Sequence, residues 1–239
     1  MALRFDILTL FPELFETFGQ TSIVGRAQKN GLVDLSTTNF RDYAKDNYQS
    51  VDDSPYGGGV GMVLMCGPIT DAIADVRTEG PKGKVILMTP QGEPMSQGLL
   101  DELKAEERLI LLAGHYEGFD ERIRESVVDR EISLGDFVLS GGEIAAMALI
   151  DGITRLLPGA LGKDESTHEE SHQAGLLEYP HYTRPRVYEG MEVPEILLNG
   201  HHAKIEAWRH EQAIERTKQR RPDLYEAWQA KQNNECQPH

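Results

Sequence analysis

Three glycine-rich segments contain the residues whose types and spacing could best support chemistry. They are residues 55–62 (PYGGGVGM), 114–122 (GHYEGFDER) and 134–143 (LGDFVLSGGE). Glycine permits sharp backbone turns and lets a ligand approach main-chain N–H groups closely. Turn formation explains any one segment equally well, but three together favour a nucleotide-like ligand. The sequence has no G-x-x-x-x-G-K-[ST] phosphate loop and no dinucleotide G-x-G-x-x-G fingerprint after a strand.

A polar stretch at residues 162–173 contains a second chemical pattern, HEESH at 168–172. H-E-x-x-H is a zinc-protease motif in which two histidines on one helix face bind Zn²⁺ and the glutamate acts as base. No apolar stripe supports a helix here, and no third ligand stands out at the expected spacing. A zinc metallopeptidase is therefore the rival hypothesis, and acids in a solvated linker are the simplest interpretation.

The hydrophobic pattern predicts an α/β protein that would hold these segments. Apolar runs at 85–88 and 109–112 are typical of strands buried on both faces, which favours a largely parallel sheet. Ligands of such sheets bind at loops that follow the carboxyl ends of strands. The strands are predicted at 3–10, 32–38, 62–65, 84–89, 108–113 and 127–132, and the helices at 22–30, 68–78, 96–105, 120–125 and 143–157.

The 239 residues predict two domains joined by a linker. Residues 1–160 form the α/β domain, 161–174 a flexible linker, and 175–239 a small helical domain with helices at 194–198, 202–219 and 222–231. No apolar run approaches the ~20 residues that span a bilayer. The N-terminus does not resemble a signal peptide, and two distant cysteines predict no disulfide framework. We therefore expect a cytoplasmic protein without membrane contact.

The net charge of −15 argues against a nucleic-acid partner, because proteins that grip phosphates usually present a basic surface. The charge is unevenly distributed, however. Residues 184–221 contain eight basic and six acidic side chains, so this stretch is +2 and the rest is −17. A local RNA-binding face and a solvated helix of mixed charge both fit this distribution.

Five segments in order resemble the bacterial TrmD-type tRNA (guanine-N1)-methyltransferases, and the resemblance covers nearly the whole chain. They are residues 5–12 (FDILTLFP), 55–62, 115–118 (HYEG), 135–143 and 179–185 (YPHYTRP). The resemblance implies a SPOUT fold, in which a parallel sheet contains a deep trefoil knot, with a small helical C-terminal domain. It also implies a homodimer with a shared active site, and methyl transfer from S-adenosylmethionine to N1 of the guanosine 3′ of the anticodon.

By the same resemblance, the cofactor lies in knot loops that correspond to residues 87–91, 114–118 and 134–142. Backbone groups and apolar side chains can grip an adenine, and glycine turns permit a bent cofactor shape. The cofactor-binding residues implied are Leu87, Thr89, Pro90, Gly114, Tyr116, Glu117, Gly118, Leu134, Gly135, Asp136, Phe137, Val138, Leu139, Gly141 and Gly142.

The resemblance implies two catalytic residues, a base that removes the N1 proton and a cation that stabilises charge on O6. The family's catalytic arginine corresponds to Arg155. Without the resemblance, Arg155 would be interpreted as a positive charge placed favourably at a helix C-terminus. The family's aspartate base falls at Glu170, which keeps the carboxylate but is longer, and the adjacent Glu169 could compete with it. Mg²⁺ dependence is also implied, with no assignable site.

The tRNA anticodon loop would be read by aromatic and basic side chains, which stack on splayed bases. The implied tRNA-binding residues are Tyr56, Gly58, Gly59, His181, Tyr182 and Arg184. Pro180 and Pro185 equally suit a rigid turn. A further rival is a non-catalytic RNA-binding homologue, which the replacement of aspartate by Glu170 would favour.

Overall fold

The computed structural model describes residues 2–161, 171–172 and 175–235. The chain divides into two compact units, Met1–Gly162 and Lys163–His239. The first unit ends close to the domain boundary predicted at residue 160. Most of the predicted linker, including Glu169 and Glu170, lies outside the described residues.

A five-stranded parallel sheet forms the centre of the first unit. Its strands are β1 (Leu3–Thr9), β2 (Val33–Asn39), β5 (Lys84–Pro94), β6 (Arg108–Ala113) and β7 (Arg130–Ser133), in the order β2-β1-β6-β5-β7. A separate antiparallel pair is formed by β3 (Asp52–Asp53) and β4 (Val63–Leu64). The predicted α/β class with a parallel sheet is confirmed, and the trefoil knot stays an expectation from the resemblance.

Helices cover both faces of the sheet. They are α1 (Glu13–Gln20), α2 (Ser22–Lys29), α3 (Cys66–Val76), α4 (Gln97–Leu103), α5 (Glu121–Val127) and α6 (Glu143–Arg155). Along β6, Leu109 and Leu111 belong to one buried cluster, while Ile110 and Leu112 belong to the other. Because successive strand side chains point to opposite faces, this alternation accounts for the continuous apolar run at 109–112.

Several element boundaries differ from the sequence prediction. Helix α1 was not predicted, since its eight residues follow the strand after only three others. Strand β5 continues to Pro94 instead of ending at residue 89, because a register shift after Met88 is followed by renewed pairing of Glu93 with Ile132. A Cβ on Gly92 would lie 2.5 Å from the backbone N of Ile132, so this close approach requires glycine. Helix α6 ends at Arg155 rather than at residue 157.

The second unit is mainly helical in its described residues. It contains α7 (His202–Arg220), α8 (Pro222–Glu235) and a 3₁₀ turn at Glu195–Leu198. A hairpin of β8 (Val187–Tyr188) and β9 (Met191–Glu192) was not predicted. Its two turn residues, Glu189 and Gly190, both have positive φ, the backbone of a tight hairpin turn that glutamate rarely adopts. No helix among the described residues is long and apolar enough to cross a membrane.

Candidate functional site

A cavity of about 250 Å³ opens at the carboxyl ends of β6 and β7, beside the part of β5 where the strand pairing shifts after Met88. This is the edge where open α/β sheets bind their ligands. The lining comes from the irregular part of β5, the loops that follow β6 and β7, and the first turn of α6, together with one side chain from α5. The lining residues are Leu87, Met88, Thr89, Pro90, Gln91, Gly114, His115, Tyr116, Glu117, Gly118, Phe119, Arg124, Ser133, Leu134, Phe137, Val138, Leu139, Ser140, Gly141, Gly142 and Ala145.

Close backbone contact holds two of these loops together. The Gly142 N–H donates to the Gly114 carbonyl over 2.8 Å, and His115 forms an isolated antiparallel bridge with Gly141. A Cβ on Gly142 would lie 2.9 Å from the Ala113 Cα, and one on Gly141 would collide with His115 and Glu143. Glycine is therefore required at both positions because backbone and side chains occupy the space that a Cβ would need.

The structure brings together thirteen of the fifteen residues predicted to bind the cofactor. All thirteen line the single cavity described above. The other two, Gly135 and Asp136, belong to the same loop as Phe137 but do not line the cavity. The Phe137 N–H donates to the Gly135 carbonyl over 2.9 Å, which turns the chain and directs this part of the loop away from the lining.

Sequence reasoning missed several lining residues, of which Arg124 is the most notable. Its side chain extends from α5, donates from Nη1 to Gln91 Oε1 over 2.6 Å and pairs with Glu131. The hydrogen bond to Glu131 is the main cause that raises the pKa of Arg124 above its usual value. No local signal identifies such a residue, because its reach depends on where α5 packs. The other missed residues are Met88, Gln91, His115, Phe119, Ser133, Ser140 and Ala145.

The glycine-rich segment 55–62 lies beside the cavity loop 114–118. The Glu117 N–H donates to the Met62 carbonyl and the Leu64 N–H to the Gly118 carbonyl, each over 2.9 Å. All four glycines of the segment have positive φ. The predicted tRNA-binding residue Tyr56 is fully exposed here, and Gly58 and Gly59 follow two and three residues later.

Arg155, one of the two predicted catalytic residues, lies away from the cavity of this chain. Arg155 is the last residue of α6, and the cavity lies at the other end of that helix. With a rise of 1.5 Å per residue, its Cα is roughly 18 Å along the axis from the first turn. Glu170 lies outside the described residues.

The three tRNA-binding residues predicted in the second unit follow one another closely along an extended segment. His181 packs against Tyr179 with ring centroids 4.7 Å apart, and the Arg209 guanidinium lies 4.7 Å from the Tyr179 centroid. His181 Nε2 lies 2.7 Å from the Glu178 carboxylate. Tyr182 and Arg184 are exposed.

Within the described residues, no three His, Cys, Asp or Glu side chains come close enough to hold a metal ion. The rival zinc motif places His172 four residues after His168, which lies outside the described residues. His172 has φ of +74° and its N–H donates to the Leu176 carbonyl in a turn. It is therefore not part of the helix that an H-E-x-x-H site requires.

Comparisons with known proteins place the chain in a well-defined group. The model of the family described as tRNA (Guanine-1)-methyltransferase TrmD matches residues 3–227. A tRNA (guanine-N(1)-)-methyltransferase of Ruminiclostridium cellulolyticum is 56% identical over 225 residues, covering 93% of this chain and 96% of the relative. That of Moorella thermoacetica is 53% identical over 224 residues, covering 93% and 90%. The crystal structure of tRNA (m1G37) methyltransferase from Aquifex aeolicus matches with a TM-score of 0.78 and 44% identity, covering 94% of this chain and 95% of that one.

Proposed function

This chain belongs to the tRNA (guanine-1)-methyltransferase TrmD family, and we propose that it methylates N1 of guanosine 37 of tRNA with S-adenosylmethionine as donor. The observation that carries this proposal is the match over residues 3–227 of the chain. The cavity supports it independently, because it gathers the glycine loops at the ligand-binding edge of a parallel sheet.

The lining of the cavity supports S-adenosylmethionine as its ligand. Gly114, Gly141 and Gly142 leave backbone close to the lining where any side chain would collide. Apolar side chains of the third loop, Leu134 and Leu139 among them, can enclose an adenine ring while main-chain groups bond its edge. The bound cofactor supplies an electrophilic methyl group on a sulfonium, so the protein mainly has to position it.

Two side chains would act on the guanine. Its N1 carries a proton near neutral pH, so a base must remove that proton before the lone pair can attack. Glu170 would accept this proton, and Arg155 would stabilise the negative charge that develops on O6.

We further propose a homodimer in which the active site is shared. The position of Arg155 supports this, since one chain holds it about 18 Å along α6 from its own cavity. A second copy could bring its Arg155 to that cavity. Leu14 on α1 and Ile144 on α6 are large apolar side chains that one chain leaves exposed, as a dimer interface requires.

Recognition of tRNA would use Tyr56 with its glycine loop, and His181, Tyr182 and Arg184. The packing of His181 on Tyr179, itself covered by Arg209, supports this assignment. Unpaired bases stack on aromatic rings and on guanidinium planes. The Tyr179 ring packs against one side of the His181 imidazole. The exposed side of the imidazole is available to stack with such a base.

Mg²⁺ dependence remains part of the proposal. The described residues contain no cage of three ligands, so a bound Mg²⁺ would take most of its ligands from water and substrate oxygens, as it commonly does. Methyl transfer measured with Mg²⁺ and with excess chelator tests this dependence, and equal rates would exclude it.

The decisive experiment is transfer of labelled methyl to unmodified tRNA with guanosine at position 37, compared with the same tRNA carrying adenosine there. We expect labelling of the guanosine tRNA alone. Glu170→Gln should abolish transfer, and Glu169→Gln is the matched control that should retain it. Cofactor binding without any transfer would favour the non-catalytic homologue, and no cofactor binding would refute the proposed function.

A further inference from the structure

We propose that Glu143 is a positioning residue. Through His115, it holds the cavity loop 114–118, the second cofactor loop, in the conformation that binds the cofactor. The inference rests on the proposed function, because it assigns a role in binding the methyl donor. Neither side chain belongs to the cofactor-binding set implied by the family resemblance.

The carboxylate of Glu143 is buried and hydrogen-bonded on both oxygens. Its side chain is 4% exposed. Thr9, the last residue of β1, donates from Oγ1 to Oε1 over 2.7 Å, and His115 Nε2 lies 2.9 Å from Oε2. The Thr9 hydroxyl also accepts from the Phe11 N–H over 3.0 Å. The carboxylate therefore joins the end of β1, the second cofactor loop and the start of α6.

Packing alone does not account for a carboxylate at this position. Removing a charged group from water is expensive, and an apolar side chain of similar size would fill the same space without that cost. The first turn of α6 lowers the cost, since a helix N-terminus favours an anion. What an apolar residue could not provide is an acceptor for His115.

The bond to His115 crosses directly over Gly141. The imidazole and the carboxylate both occupy the space of a Cβ at Gly141, and His115 and Gly141 are bridged through their backbones. The Phe11 ring packs against the other side of the imidazole, with centroids 4.7 Å apart. His115 is thus fixed from three directions, although it lines the cavity and is 23% exposed.

The residue after His115 shows why this fixation is needed. Tyr116 lines the cavity with φ of +61°, a left-handed backbone that is strained for a residue with a side chain. Such a conformation persists only where the surroundings hold it. We infer that the anchored imidazole holds it, and that Tyr116 and Gly118 are thereby placed for the cofactor before it arrives.

The test measures cofactor affinity separately from the chemical step. Glu143→Ala and His115→Ala should each raise the Kd of S-adenosylmethionine about 10- to 100-fold, the factor expected for a lost hydrogen bond to a charged group. The single-turnover rate at saturating cofactor should change by less than about threefold, because the reacting groups lie elsewhere. The double variant should lose no more than either single variant, since Glu143 acts through His115.

A conservative variant separates positioning from stability. His115→Gln keeps a donor near the position of Nε2 and should recover most of the affinity, whereas a role confined to folding would change the melting temperature and leave the Kd of folded protein unaltered. His115 is partly exposed, so its variants should fold even if Glu143→Ala does not. An unchanged Kd in folded His115→Ala would overturn the proposal. Wild-type protein that fails to bind the cofactor in the binding measurement, which needs no tRNA, would instead refute the proposed function.

Discussion

At the scale of single residues, the absence of a side chain is as important as its presence in the cavity that we propose to bind the cofactor. Gly142→Ala would place a methyl group 2.9 Å from the Ala113 Cα and 3.3 Å from the Met88 Cβ. These are backbone and near-backbone atoms that cannot move aside without shifting the loops. We expect loss of S-adenosylmethionine binding by at least about tenfold, measured by calorimetry.

The matched control for that variant is Gly98→Ala. Gly98 lies in α4 with open space around the added methyl group. Alanine also favours helix over glycine by about 1 kcal/mol. Binding should stay at the wild-type level and the protein should be no less stable. Equal loss of binding in both variants would contradict the steric explanation.

Arg155 should affect the rate of methyl transfer but not the binding of the cofactor. Removing one group that stabilises developing charge typically costs about 10² to 10³ in kcat. We expect Arg155→Ala to show this loss in single-turnover transfer, with an unchanged Kd for S-adenosylmethionine. Arg26→Ala removes an exposed arginine from the last turn of α2 and serves as control. A weakened Kd in Arg155→Ala would reassign this residue to cofactor binding.

At the scale of elements, the edge of the sheet opposite the cavity depends on a buried ion pair. Arg108 at the start of β6 is fully buried, and its Nε donates to the Asp6 carboxylate over 2.6 Å. Its other nitrogens donate to the carbonyl of Val76, the last residue of α3, and to those of Glu79 and Pro81 just after it. This one guanidinium therefore joins two strands to the end of a helix.

Breaking this pair should destabilise the fold strongly. Asp6→Ala leaves the buried arginine without its carboxylate, which typically costs about 3–5 kcal/mol. Urea unfolding should show a correspondingly lower midpoint. Asp34→Ala, at an exposed carboxylate on the neighbouring β2, should change the free energy of unfolding by no more than about 0.5 kcal/mol. A small effect of Asp6→Ala would mean that the backbone carbonyls alone satisfy Arg108.

The contact between the 3₁₀ helix Phe40–Tyr43 and α3 should depend on alkaline pH. The Tyr43 hydroxyl donates to Asp75 over 2.6 Å, and this bond, with burial, raises the pKa of Tyr43 to about 12. The folded chain then holds the phenolic proton more tightly than the unfolded chain does. The resulting stabilisation is complete below the ordinary tyrosine pKa of about 10 and is lost as the pH rises towards 12.

Tyr43→Phe is the variant that tests this linkage. It should lower the free energy of unfolding by on the order of 1 kcal/mol near neutral pH, a modest amount because Asp75 is exposed to solvent. The deficit relative to wild type should shrink above pH 10. Ultraviolet titration of wild type minus variant should show one tyrosine titrating near 12. A difference spectrum centred on the ordinary pKa would show that the bond to Asp75 does not form.

At the scale of the whole molecule, the separation of Arg155 from the cavity predicts complementation between two impaired variants. Arg155→Ala keeps an intact cavity, and Gly142→Ala keeps an intact arginine. If the site is shared, a mixed dimer contains one complete site. Co-expression should then restore roughly a quarter of wild-type activity, since half of randomly assorted dimers are mixed and each has one complete site of two.

Each variant expressed alone provides the baseline for this experiment. Activity of the mixture that does not exceed the two baselines, despite proven mixed dimers, would place Arg155 and the cavity of one chain in the same site. The proposed function would survive that outcome, but the shared active site would not.

Much of this protein was determined by local sequence pattern. Continuous apolar runs predicted strands buried on both faces, and β6 occupies the residues predicted for it. Glycine clusters after strands predicted a ligand edge, and thirteen of the fifteen implied cofactor residues line one cavity there. The strand prediction succeeds because hydrophobic periodicity acts over a few neighbouring residues, which the sequence displays directly. The cofactor residues came from the family resemblance, and their role stays a prediction.

Tertiary structure alone decided how distant residues meet. Arg124 reaches the cavity from α5, the Glu143 carboxylate bonds Thr9 across 134 residues of sequence, and Arg155 is held at the end of α6 remote from the cavity. Short elements such as α1 and the Glu189–Gly190 hairpin turn were also not predicted from the sequence, because their surroundings and not their own composition stabilise them. Contacts of this kind depend on how whole elements pack. They join residues that are far apart in the sequence, so no local sequence pattern predicts them.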